Sequence, residues 1–197
     1  MTSGKIVLVT LLAGALGFGF ALVSRHWLGA DWGLIPTHLF SGDSSPDHLD
    51  RLPGFRLPDV HGEEIDSSRW AGKVLVLNFW ATWCPPCRRE LPLFDELQRT
   101  HRDEALQVVG IAIDDKEDVQ AFLKEHPVGF PILIGGMDAI EMSRQLGNQM
   151  QGLPFTAIFD GQGKGVYTHA GEMTRDTLSE HVEPLLSQPA LTKASGN

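Results

Sequence analysis

A chain of 197 residues has room for one domain of ordinary size and an additional segment. Its formal charge of −9, with 16 Lys and Arg scattered among 25 Asp and Glu, offers no basic face to a polyanion, so nucleic acid is not an expected partner. The 2 cysteines stand too close together in sequence to staple a small fold by closing a long loop, which points to reactivity as the reason for their presence.

Residues 1–5 form a short tail, read as cytoplasmic, ahead of a charge-free apolar run over 6–23 that only Thr10 interrupts. As a helix this run spans about 27 Å, close to a hydrocarbon core of about 30 Å. Trp27 and Trp32 follow where an interfacial aromatic belt sits, and Arg25 and His26 are placed to snorkel outward. The segment reads as a single transmembrane anchor. A cleaved signal peptide is the alternative, although Gly19 with Ala21, or Leu28 with Ala30, makes a poor cleavage site. Residues 24–51, rich in Gly, Ser, Pro and Asp and without an apolar period, read as a spacer.

From 52 to 187 the texture is that of one α/β domain. A short strand over 55–57 leads to a turn at Gly62, the signature of a hairpin. The continuous apolar run over 74–80 predicts a central strand buried on both faces, and it ends at the cysteines. The spacing of Leu91, Phe94 and Leu97 predicts a helix, with Pro92 as a kink. A second buried strand over 108–113 and a helix over 117–124 follow, and two such strand–helix units imply a parallel crossover. Residues 131–134 read as an edge strand and 139–146 as a helix closed by Gly147. Strands over 156–159 and 165–169 flank the turn Asp160-Gly161-Gln162-Gly163-Lys164, and a closing helix covers 174–186. Residues 188–197 read as a frayed tail.

The chemistry sits in Trp83-Cys84-Pro85-Pro86-Cys87, where a strand runs into a helix. That arrangement puts the Cys84 sulfur at a helix N-terminus, where unpaired N–H groups and the helix dipole favour a thiolate able to attack a partner's disulfide. Cys87, one turn later, is placed to attack the resulting mixed disulfide and leave the pair oxidised, with no cofactor beyond that redox-active pair. Pro85 and Pro86 stiffen the loop and remove two N–H donors. Half a zinc site is the competing reading of such a pair. Zinc requires two further ligands, and the eight histidines contain no pair at metal-binding spacing. Met137, Met142 and Met150 read as core and loop residues rather than a copper site.

The stretch from Leu77 through the cysteines to Arg88-Arg89-Glu90-Leu91-Pro92 resembles the active-site region of the TlpA/ResA-like membrane-anchored thioredoxins. Gly152-Leu153-Pro154-Phe155-Thr156 resembles that family's cis-proline segment. The resemblance implies a thioredoxin fold, a central mixed sheet flanked by helices with an N-terminal β-hairpin extension, here preceded by one transmembrane helix. It implies reduction of disulfides in envelope proteins, such as apocytochrome c or copper-site assembly factors, with a membrane electron transporter as the reductant. A cis bond at Pro154 would leave the Leu153 backbone free to pair with an extended substrate, and a proline that merely opens a strand is the alternative. Trp83 is expected to shield the cysteines and contact partners, and Trp80 to pack. Asn78 departs from thioredoxins proper, which usually carry a buried aspartate there, so a base must come from elsewhere. Asp115 aligns with an acid that relatives place near the site, and burial beside the sulfurs would raise its pKa and suit it to take a proton from Cys87. A solvated loop acid is the alternative for both Asp114 and Asp115. An anchor with a short N-terminal tail places the domain in the periplasm, at the bacterial inner membrane, where an oxidising compartment favours reductase over oxidase as the direction. Copper delivery and thiol peroxidase chemistry on the same fold are the rival functions.

Overall fold

The computed structural model describes residues 51–102 and 104–187. The apolar segment over 6–23, nearly all of the spacer and the tail over 188–197 lie outside the described residues. No helix among the described residues is long and apolar enough to cross a membrane.

The chain enters through a two-stranded antiparallel hairpin, β1 (Arg56–Pro58) and β2 (Glu64–Asp66). The sequence places β1 one residue early, because Phe55 spends its backbone on Ser67 instead of on a ladder. Its N–H donates to Ser67 Oγ at 3.1 Å and its carbonyl accepts from Ser67 N at 3.0 Å. A short 3-10 helix, Ser67–Trp70, leads to β3 (Val74–Trp80), all seven residues of which are buried. Helix α1 (Pro85–Thr100) follows and continues through Pro92. Then come β4 (Leu106–Ala112), α2 (Lys116–Glu125), β5 (Ile132–Ile134), α3 (Gly136–Gln145), β6 (Phe155–Phe159), β7 (Gly165–Ala170) and α4 (Arg175–Leu186).

The main sheet has the order β5-β4-β3-β6-β7. The β3–α1–β4 and β4–α2–β5 units give parallel pairs, while β6 runs antiparallel to both β3 and β7. This mixed sheet with helices packed on it is the thioredoxin fold. β5 is an edge strand, as its short run predicts. The β6–β7 turn is held by Asp160, whose Oδ1 accepts from the N–H groups of Gln162 and Lys164.

The central position of β3 explains its unbroken burial. Side chains alternate across a strand, so Val74, Val76 and Trp80 join one core with Leu91, Phe94 and Leu97 of α1 and Leu178 and Val182 of α4. Leu75, Leu77 and Phe79 join the other with Ala139 and Met142 of α3 and the hairpin residues Leu57 and Ile65. Each Val, Leu, Ile, Phe or Met side chain among these, when fully buried, contributes about 1.5–3 kcal/mol. The same alternation turns Asn78 toward the α1 face, among apolar neighbours.

α3 begins earlier than the apolar pattern suggests because the chain turns sharply at Gly135 and Gly136. A Cβ at Gly135 would stand 2.8 Å from Ile111 Cγ2, and closer still to the Ala139 methyl group. Gly135→Ala is therefore expected to lower stability by about 1–3 kcal/mol through overpacking, readable in a denaturant titration. A variant as stable as the parent would show that α3 shifts freely on the sheet.

Candidate active site

β3 delivers the chain to the reactive pair and α1 receives it. Cys84 is the N-cap of α1, with Pro85 and Pro86 at its first two helical positions. Proline fits there because its fixed φ suits the first turn and its missing N–H would have had no intrahelical partner. The consequence is electrostatic. Of the N–H groups that open the helix, the prolines remove two, the Arg88 N–H is used by the Cys84 carbonyl at 3.2 Å, and the Cys87 N–H points at Cys84 Sγ at 3.3 Å. One backbone donor and the helix dipole thus act directly on the leading sulfur. Cys84 and Cys87 are joined as a disulfide with Cα atoms 5.3 Å apart, so the structure is the oxidised form.

Trp83 is 66 % exposed, immediately before the pair, whereas Trp80 is wholly buried and packs against Phe122 in a tilted arrangement, with ring centroids 5.4 Å apart and planes at 52°. Cys84 is 4 % exposed and Cys87 fully buried. That asymmetry gives the two sulfurs different access to a partner. The Leu153–Pro154 peptide bond is cis, and Leu153 packs against the core cluster that contains both cysteines.

The acids are arranged differently from the reading of the sequence. Asp115 is exposed at the N-cap of α2 and makes no side-chain capping bond. Its expected burial beside the sulfurs is not found, because the chain turns outward to begin α2 before reaching it. Asp114 has a tethering position. Its Oδ2 accepts from the Thr82 N–H at 2.9 Å and from the Thr82 hydroxyl at 2.5 Å, which fastens the loop after β4 to the loop ahead of the cysteines.

Among the described residues the buried acid is Glu90, only 2 % exposed and one turn beyond Cys87 on the inner face of α1. Its Oε1 accepts from Asn78 Nδ2 at 2.7 Å and its Oε2 from the Met173 N–H at 2.7 Å. Burial pushes its pKa up to about 7, against the lowering effect of those two hydrogen bonds, and the nearby Glu172 charge raises it further. A signal for Glu90 was present in the sequence: it lies three residues after Cys87 and four before Phe94, on the apolar stripe of an otherwise charged turn.

A sulfur at a helix N-terminus, bonded to a second sulfur buried one turn behind it, and a cis-proline segment packed on the same core define a thioredoxin-fold thiol-disulfide oxidoreductase. Comparison with known proteins gives the family. The Redoxin family model matches residues 48–184. The thiol-disulfide oxidoreductase ResA of Bacillus cereus is 26 % identical over 184 residues, which cover 92 % of this chain and 94 % of that protein. ResA of Halalkalibacterium halodurans is 32 % identical over 149 residues, covering 75 % and 82 %. Among solved structures, a thioredoxin-family thiol:disulfide interchange protein from Chlorobium tepidum superposes with a TM-score of 0.64 at 26 % identity, over 70 % of this chain and 97 % of that one. StoA from Bacillus subtilis gives 0.53 at 25 % identity, over 65 % and 95 %. The chain belongs to the Redoxin family, among its TlpA/ResA-like thiol-disulfide oxidoreductases, and its substrates are accordingly disulfide-containing proteins.

Proposed function

We propose that the chain is a membrane-anchored reductase of the bacterial envelope, held at the inner membrane by residues 6–23 with its catalytic domain in the periplasm. Its clients are disulfide-containing envelope proteins, of the kind matured during cytochrome c or copper-site assembly, and a membrane thiol-disulfide electron transporter returns it to the reduced form. The observation that carries the chemistry is the order Cys84, Cys87, Glu90 along the first turns of α1, running from a helix N-terminus into a buried face.

The cycle starts from the dithiol. The Cys84 thiolate attacks one sulfur of the client disulfide, forming a Cys84–client bond and releasing the other client sulfur as a thiolate that takes a proton from solvent. The Glu90 carboxylate then accepts the Cys87 proton, and the Cys87 thiolate attacks Cys84 Sγ. The mixed disulfide breaks, the second client thiol leaves, and the two electrons of the dithiol have passed to the client. Trp83, Pro85 and Pro86 on one side and Leu153, whose backbone is set by the cis bond to the buried Pro154, on the other form the surface a client chain meets around Cys84. Glu90 takes the proton-accepting role that the sequence suggests for Asp115.

Rapid alkylation of thiols in intact cells tests direction and setting together. The pair is expected to be reduced in wild-type cells and to become oxidised when the membrane electron transporter is deleted, with the chain remaining in carbonate-washed membranes. A pair oxidised in both strains overturns the reductase direction, and release by carbonate overturns the anchor.

A further inference from the structure

Asn78 is a polar residue in the middle of β3, fully buried, at a position where an apolar side chain would extend the core. A buried amide without partners costs about 1–3 kcal/mol, so its bonds need accounting. Nδ2 donates to Glu90 Oε1 at 2.7 Å and to Thr156 Oγ1 at 3.3 Å, while Oδ1 has no partner among the described residues. Thr156 stands directly opposite Asn78 in the β3–β6 register. Every bond to Glu90 suits a carboxylate, since both of its oxygens accept.

The redox cycle nevertheless requires Glu90 to take a proton. With the Met173 N–H fixed by the backbone on Oε2, the proton belongs on Oε1, where it would confront the Asn78 NH2 group, donor against donor. Rotating the amide by half a turn exchanges Nδ2 for Oδ1. The new arrangement lets Glu90 O–H donate to Oδ1, and the Thr156 hydroxyl, able to donate as well as accept, bonds to the same oxygen.

We propose that Asn78 is a positioning residue for Glu90, its amide turning with the proton so that the buried acid has a hydrogen bond both as carboxylate and as carboxylic acid. The role rests on the reading of Glu90 as proton acceptor for Cys87. It gives an amide a use at a place where a second carboxyl group would compete for the same proton. The groups facing Glu90 from the sheet, Asn78 of β3 and Thr156 of β6, are neutral. The charges nearby belong to Glu172, in the loop before α4, and to Arg89 of α1, which pairs with Glu172 at 2.5 Å and offsets it.

The test is a carbon-13 NMR titration of the Glu90 carboxyl in the full oxidised chain, assigned with Glu90→Gln, together with the side-chain amide signals of Asn78. Asn78→Leu removes a bond from both forms of Glu90, and the bond to the charged carboxylate is the stronger of the two, so the Glu90 midpoint is expected to rise by up to about one pH unit, a tenfold change in proton affinity. In the wild type, the Asn78 amide signals are expected to shift with the same midpoint as Glu90. Amide signals that stay flat through the Glu90 titration overturn the proposal, as does an unmoved midpoint in Asn78→Leu. If that variant fails to fold, Thr156→Val and the wild-type amide signals decide: a smaller rise in the Glu90 midpoint supports the network, and none, with flat amide signals, overturns it. A Glu90 midpoint that depends on Asn78, in a protein whose exchange rate ignores Glu90→Gln, upholds the coupling and refutes the catalytic role.

Discussion

Cys84→Ala abolishes disulfide exchange, lowering the rate of reduction of a model protein disulfide by at least roughly a thousandfold, to the background set by the added reductant. The size of the effect follows from the site: Cys87 is the one other thiol in the chain, and it has the wrong access, being fully buried behind Cys84. Cys87→Ser has a different phenotype. Attack by Cys84 still occurs, resolution does not, and the variant accumulates covalent adducts with its clients. Those adducts resist alkylation, collapse on adding dithiothreitol, and identify the clients by mass. Exchange that survives Cys84→Ala would require a different nucleophile and end the dithiol account, and Cys87→Ser chains that capture nothing would remove its second step.

Stability barely enters this outcome. The two sulfurs close a loop too short to constrain the unfolded chain strongly, so both variants should fold. Circular dichroism in parallel with the exchange assay separates loss of chemistry from loss of structure.

How far the architecture was legible depends on the type of signal. β3 reads directly from its composition, because a strand buried on both faces has no polar alternation to confuse with a helix. The β6–β7 hairpin reads from Asp160 and Gly163, whose roles are local: an Asx-type carboxylate and a glycine at φ +75°. The reactive pair reads from chemistry, since strand, two cysteines and helix leave little else for the sulfurs to do. Glu90 is the contrary case. In Arg88-Arg89-Glu90-Leu91 it looks like one more charge on a solvated turn, and only the period anchored by Cys87, Phe94 and Leu97 turns it inward. What makes its burial tolerable comes from far along the chain, Asn78 on β3 and the Met173 N–H 83 residues away. Asp115 misleads for the opposite reason: it is near the site in sequence logic, yet one residue's change of direction at the N-cap of α2 separates it from Asp114, which does reach the active-site loop.

Glu90→Gln is expected to change both the pH dependence of stability and that of exchange. The folded-state pKa is raised from 4.5 to about 7, so the folded protein binds a proton the unfolded chain has already lost across that window. Stability from this group is complete below pH 4.5, falls as pH rises toward 7, and is constant beyond, with a total loss of about 3 kcal/mol. The amide introduced by the substitution does not titrate, so the variant should lack this slope. It still has an oxygen for the Met173 N–H and an NH2 group for Asn78 Oδ1, which preserves the packing. Urea titrations near about pH 4.5 and about pH 8 measure the difference. Exchange should respond at the resolving step. Without a carboxylate to take the Cys87 proton, release of the client slows by roughly a hundredfold, and the inflection near pH 7 disappears from the rate profile. Stability curves that run parallel in the two proteins would show that Glu90 is ionised throughout the range. An inflection retained in the variant would place the proton acceptor for Cys87 on another group, and Asp114, tied to Thr82 beside the cysteines, would be the next carboxylate to remove.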